Sequence, residues 1–209
     1  MIIVQPSYRI EKISDGNDIL LSIEKAGRTC YKSEDKISSD SSYKFVKNLL
    51  LRNPPHLSVI EHESMTIRFV CNRGFTHELV RHRLVSFSQE STRYVNYSKG
   101  KYGGDIQIIN QHFENTTQRV LWMKACRECE DTYMKLISSG VKPESARSVL
   151  PICLKTEIVA TANMRQWGHI LYQRISQKAH PQMRELMVPL WNELRYKVPL
   201  IFDNLEIYR

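Results

Sequence analysis

No run of the chain approaches the roughly 20 consecutive apolar residues that a bilayer span requires, so no membrane partner is expected. The opening MIIVQPSYRI lacks a basic leader, and its apolar run is too short for a secretory signal. Glycine is scarce, eight in 209 residues, and none falls in the spacing of a Rossmann fingerprint or a P-loop. The five cysteines, at positions 30, 71, 126, 129 and 153, are odd in number and irregularly spaced. That suits free thiols in a reducing compartment, and the expected location is cytoplasmic. Acidic residues are outnumbered 22 to 30 by Lys and Arg, leaving a net charge of +8. Such a balance calls for anionic partners, either nucleic acid or phosphorylated small molecules.

What is present reads as one domain, residues 1–209, of the α/β or α+β class. IIVQPSYRIEKI gives an opening strand or pair of strands, and residues 65–71 (MTIRFVC) alternate as a strand should. Asn17 or Asp18 is placed to cap a first helix, and Asp40 a second over 41–51. Thr76 is placed to cap a helix running through HELVRHRLV, after which SFSQEST turns into a loop. DIQII (105–109) is a short strand, and Thr116 or Thr117 opens the longest helix, ended by Gly140. A short helix begins at Pro143, and two more cover 164–176 and 182–197. Residues 154–162 fit either period, and no internal repeat stands out.

Metal and thiol chemistries fail on spacing. The histidines of HELVRH are five apart, and five residues turn a helix by roughly 500°, about 140° net, so they cannot share a face as zinc ligands do. No metal is expected. CREC (126–129) falls inside the long helix, where it places two small residues on one face. No cysteine has an activating base beside it in sequence.

The segment 81–94, RHRLVSFSQESTRY, concentrates three arginines, a histidine and four small hydroxyl residues. Serine, glutamine and threonine followed by arginine offer a phosphate N–H groups, hydroxyls and a guanidinium. On a helix Arg81 and Arg83 point roughly 200° apart, so they serve two ligands or two subunits. Downstream, Arg165, His169 and Gln173 recur at i+4 as one stripe, with Arg174 about 100° away from it.

RHR followed after seven residues by Ser91 and Arg93 resembles the signature of the flavin-dependent thymidylate synthases. GRTCY (27–31), HLSVIEH (56–62), SARSVLP (145–151), TANMRQWGHILYQR (161–174) and AHPQMREL (179–186) are similar to that family's other blocks, in its order. The resemblance implies a central mixed or antiparallel sheet flanked by helices, in a homotetramer with shared active sites. It implies reductive methylation of dUMP to dTMP, with methylene-tetrahydrofolate as carbon donor and NADPH as reductant through bound FAD. No cysteine nucleophile and no nucleic acid would take part. Carried over, the flavin contacts would be Ser58, Arg81, His82, Arg83, Gln89, Asn163, Arg165 and His169. The nucleotide would meet Glu78, Leu79, Val80, Arg81, Gln89, Glu90, Ser91, Thr92, Arg93, Arg147 and Arg174. Glu78 stands where the family often has glutamine, Gln89 where it often has glutamate, and Cys30 where some members have serine; Glu61 also matches a family block. A carboxylate at 78 beside an anionic nucleotide needs a cation, and Arg81, three residues along, is the expected one. Arg174 would be catalytic. A guanidinium cannot act as a base, but it can stabilise charge developing on the pyrimidine.

Overall fold

The strand alternation expected over 65–71 extends to β3, Ser64–Asn72, where Met65, Ile67, Phe69 and Cys71 are buried. It belongs to a computed structural model that describes residues 1–100 and 103–209. The opening pair is β1, Ile2–Val4, and β2, Ser7–Lys12; then come α1, Gly16–Thr29, and α2, Ser41–Leu50. After β3 follow α3, Arg73–Leu79, β4, Ser86–Gln89, β5, Gln107–Ile109, and the longest helix, α4, Thr116–Ser138. The short α5, Pro143–Ala146, leads to β6, Lys155–Asn163, then α6, Met164–Arg174, α7, Pro181–Lys197, and α8, Pro199–Phe202. Residues 154–162, ambiguous by periodicity, are thus a strand. Thr156, Ile158, Ala160 and Ala162 face inward, and the alanines are what made the pattern fit a helix equally well.

A four-stranded sheet has the order β2-β3-β6-β4, and a two-stranded sheet pairs β1 with β5. β1 and β5 are parallel, with Ile3 opposite Ile108. β3 and β6 run antiparallel. Met164 N–H donates to the Glu63 carbonyl at 2.9 Å, while the hydroxyls of Thr66 and Thr161 meet at 2.9 Å, so one position rises as its partner falls.

The chain divides into two compact units, the first made of Met1–Ser7, Phe69–Arg81 and Ser88–Val159, the second of Tyr8–Arg68, His82–Phe87 and Ala160–Arg209. In the first, α4 packs its Cys126 and Tyr133 against Ile106, Ile108 and Leu154. Buried Glu130 is satisfied there, accepting from the Ile106 N–H at 2.8 Å. In the second, α1 packs on α2, and Gly27 lets the Phe45 ring lie where a Cβ would be 2.6 Å away. Glu24, fully buried, is held by Arg28 one turn on and by the Ser41 hydroxyl at 2.7 Å.

Several caps and one boundary differ from expectation. Asp15 caps α1, accepting from the Asn17 N–H, and Asn115 caps α4. Asn72, the last residue of β3, caps α3, which places Thr76 inside the helix. α3 stops at Leu79, so the segment around Arg81 and Arg83 is not helical, and the roughly 200° divergence argued for them does not apply. Past Leu79, between positions 80 and 84, only His82 is buried; Val80, Arg81, Arg83 and Leu84 are exposed. Residues 86–89 form β4 rather than a loop, because half of their side chains face inward on the edge of the sheet.

Candidate active site

The expected residues gather in two clusters, one in each unit. The first is built around β4 and the 89–93 loop. Asn72 accepts from the Phe75 N–H at 2.8 Å and so fixes the start of α3. One turn in, buried Thr76 donates its hydroxyl proton to the Arg73 carbonyl at 3.0 Å. With that proton committed, the Thr76 oxygen can only accept, and Gln89 must turn its amide NH2 toward it, at 3.0 Å, with Thr156 3.4 Å away. The amide is thereby oriented, and Oε1 is its acceptor for a ligand. In the loop, Ser91 Oγ accepts from the Arg93 N–H at 3.3 Å, and buried Thr92 accepts from Arg147 Nη1 at 3.3 Å. Arg93 pairs with Glu144 at 3.2 Å, both exposed, an ion pair that water screens heavily. Glu78 lies in the last turn of α3, its carbonyl accepting from the Arg81 N–H at 3.3 Å, and Leu79, which ends the helix, has its whole side chain in the core. This cluster can therefore present two arginines, hydroxyls and an oriented amide to an anionic, hydrogen-bonding ligand.

The second cluster surrounds a cavity of about 390 Å³, lined among others by Leu57, Glu61, Leu84, Asn163, Arg165 and His169. Asn163 ends β6 and caps α6, accepting from the Gln166 N–H at 2.8 Å. Arg165 Nη1 reaches Glu61 at 2.5 Å. His169 has both ring nitrogens occupied: Nδ1 lies 2.9 Å from the Tyr208 carbonyl, so it carries the proton, and Nε2 accepts from Gln173 at 2.9 Å. Ser58 is exposed on the turn Leu57–His62, next to the lining residue Leu57, and Arg83 is the exposed neighbour of lining residue Leu84.

His82 is buried behind the same helix. Arg174 Nε donates to His82 Nε2 at 3.0 Å, and the His82 and His169 rings stand edge to face with centroids 6.1 Å apart. A guanidinium has only protons to give, so Nε2 holds a lone pair and the His82 proton sits on Nδ1. Burial first, and then the Arg174 charge with the His169 ring nearby, pulls the His82 pKa down to about 4, so the ring is neutral near pH 7. Of the stripe expected on α6, Arg165 and His169 line the cavity and Gln173 bonds the His169 ring, while Arg174, off that stripe, meets His82.

Sequence reasoning passed over Thr76 as a contact of Gln89, Arg73 and Lys155 beneath the loop, and Ile207, Tyr208 and Arg209 on the cavity wall. One signal could have found the last group. Gly168 sits inside α6, where a helix gains nothing from glycine, and a Cβ there would lie 2.6 Å from the Tyr208 ring.

The family described as thymidylate synthase complementing protein matches residues 13–200. A flavin-dependent thymidylate synthase of Geobacter sulfurreducens is 32% identical over 187 residues, covering 86% of this chain and 78% of that protein. One from Corynebacterium glutamicum is 30% identical over 223 residues, covering 97% and 86%. A UMP/dUMP methylase from Streptomyces cacaoi, solved with 5-Br dUMP, superposes with a TM-score of 0.76 at 22% identity over 100% of this chain and 96% of that one. The thymidylate synthase of Helicobacter pylori, solved with FAD and dUMP, gives 0.77 at 20% identity over 96% and 98%. The two structures establish the class of fold, a mixed α/β fold shared with nucleotide-methylating enzymes. The chain belongs to the flavin-dependent thymidylate synthase family.

Proposed function

We propose that the protein reductively methylates dUMP to dTMP, with FAD as cofactor, methylene-tetrahydrofolate as carbon donor and NADPH as reductant. What supports the reading is that the family match over 13–200 contains all the site residues expected from the sequence, in both clusters. The cavity fits one part of a flavin cofactor. About 390 Å³ is within the range of small-molecule sites, and Asn163, Arg165 and His169 supply a polar rim over the apolar Leu57 and Leu84. Those residues, with Ser58, His82, Arg83, Arg81 and Gln89, would hold the flavin, which when bound would supply the reducing equivalents for the new methyl group.

The nucleotide would be held at the 89–93 loop, with Arg147 and Arg93 as phosphate donors and Gln89, Glu78, Leu79, Val80 and Arg81 contributing around the base. Arg174 would stabilise the negative charge that develops on the pyrimidine, its guanidinium aimed by neutral His82. Thiol attack is unsupported. Cys71 and Cys153 are buried with their thiols pushed up by burial, and burial pushes Cys126 up to about 12, so none is a ready thiolate. Exposed Cys30 ends α1.

A chain of 209 residues acting as one functional domain in the cytoplasm, assembled as a homotetramer with sites shared between copies, completes the proposal. No helix among the described residues is long and apolar enough to cross a membrane. The deciding experiment incubates purified protein with FAD, NADPH, methylene-tetrahydrofolate and 5-tritiated dUMP. Tritium release with stoichiometric dTMP is expected. A colourless protein that binds no FAD and releases no tritium, while DNA retains it with a steep salt dependence, would replace this reading with a nucleic-acid module.

A further inference from the structure

Glu90 lies within the 89–93 loop, yet its carboxylate turns inward. Oε2 is 3.2 Å from the Lys155 ammonium, and Oε1 accepts from the Tyr97 hydroxyl at 3.3 Å. Its backbone is gripped as well. The Glu90 N–H donates to the Glu157 carbonyl at 2.9 Å, and the Glu90 carbonyl accepts from Arg73 Nη2 at 2.9 Å. The Lys155 and Glu90 side chains are only 10% and 12% exposed, so water does little of the holding. Glu157 adds a second carboxylate, 2.7 Å from the ammonium. Burial pulls the Lys155 pKa down, but the bonds and charges of Glu157 and Glu90 more than reverse it, and the amine stays charged. Beside this knot Arg73 keeps its Nε buried without a partner among the described residues, a cost folded chains seldom accept.

A buried ion pair adds little net stability over an apolar pair of the same shape, but it dictates geometry. Removing Lys155 strands the Glu90 carboxylate with only the Tyr97 hydroxyl, and removing Glu90 leaves the ammonium to Glu157 alone and frees it to shift. Here the geometry dictated is that of the loop whose neighbouring positions, Gln89 and Thr92, are themselves tied to Thr76 and Arg147.

We propose that Glu90 and Lys155 are positioning residues for the nucleotide: their ion pair, with Arg73 on the Glu90 carbonyl, locks the 89–93 loop in the shape that lets Gln89, Ser91 and Arg93 meet dUMP. This rests on the reading of that loop as the nucleotide site. Glu90 then contributes from behind the loop, with no contact to substrate through its carboxylate.

The test compares the parent holoenzyme with Glu90→Gln, Lys155→Met, Lys155→Arg and the Glu90→Gln/Lys155→Met double variant, by KM for dUMP, kcat, flavin content and melting temperature. Glu90→Gln and Lys155→Met should each raise KM for dUMP by roughly tenfold to a hundredfold, the cost of a loop set slightly out of place. Their kcat and flavin content should stay near the parent's. Lys155→Arg, which keeps the charge, should stay within about threefold of the parent, and the double variant should cost no more than the worse single change. Single variants that melt earlier yet keep the parent's KM would overturn the proposal, as would effects that simply add in the double variant. Should Lys155→Met fail to fold, Glu90→Gln and Lys155→Arg decide by the same criteria. A parent that neither binds nor turns over dUMP sinks the function itself, whereas a working parent matched by Glu90→Gln sinks only this inference.

Discussion

β3 and β6 each end on an asparagine that caps the next helix, Asn72 over Phe75 and Asn163 over Gln166, both at 2.8 Å. The helices then carry the same spaced residues: Arg73, Phe75, His77 and Leu79 in α3, and Arg165, Trp167, His169 and Leu171 in α6. The aromatic and the leucine are buried in both corners. The arginines diverge in use, Arg73 bonding the Glu90 carbonyl and Arg165 the Glu61 carboxylate. Between aromatic and histidine, one corner has Thr76, whose oxygen orients Gln89, and the other has Gly168, whose missing side chain admits the Tyr208 ring. α3 ends after seven residues, and α6 continues for eleven, far enough to carry Arg174. A shared scaffold thus acquires two duties through one interior position and through where the helix stops.

The sharpest way to separate the corners is at the residue only α6 is long enough to reach. Arg174→Ala should lower tritium release from 5-tritiated dUMP by about 10²–10³ and spare flavin content, since Arg174 lies off the cavity stripe. Arg174→Lys should recover only part, because an ammonium lacks the planar fork. Equal activity in the alanine variant would move the role to another cation.

The pH dependence of α6's neighbour comes next. His82 titrates near 4 when folded against a usual value near 6.5, so the unfolded chain binds the proton more readily. Stability should therefore fall as pH drops from about 6.5 toward 4 and be flat above that window. Melting temperatures for His82→Gln should lose that slope; an unchanged slope would assign it to other groups.

Smaller effects come from the equivalent interior positions. Gly168→Val should cost about 1–3 kcal/mol by overpacking and reduce flavin content, because the Tyr208 ring must move. Thr76→Val, in the other corner, should cost about 1 kcal/mol and raise KM for dUMP without touching flavin content. If both variants changed the same ligand's binding, the division of labour between the corners would fail.

The sequence was most legible where one force acted alone. β3 showed itself because its outward and inward faces alternate cleanly, and the long α4 because Gly140, with φ 91°, ends it sharply. The α6 stripes followed from helical geometry. The repeat between the corners escaped notice because Arg73 lies one residue after its capping asparagine and Arg165 two after. The end of α3 is not legible because helical spacing continues past Leu79 and His82 at i+3 is still buried, while the residues around it, Val80, Arg81, Arg83 and Leu84, are exposed. Thr76 suits a cap by type, but Asn72 sits one residue before the helix and takes that role. The division into two units has no linker to announce it, since its boundaries fall inside β2, β3, β4 and β6 and in the short stretch between α3 and β4.

Gly168 has a consequence for how this chain can vary over generations. An interior glycine costs a helix about 1 kcal/mol relative to alanine, a penalty α6 bears only because the Tyr208 ring occupies the space. The seat for the Tyr208 ring is therefore written in α6 as much as in Tyr208 itself. A lineage that lost the ring at 208 would be released to accept a side chain at 168, and one that gained a side chain at 168 could tolerate it only after losing the ring. The two positions should therefore vary as a pair, forty residues apart in sequence and one contact apart in space.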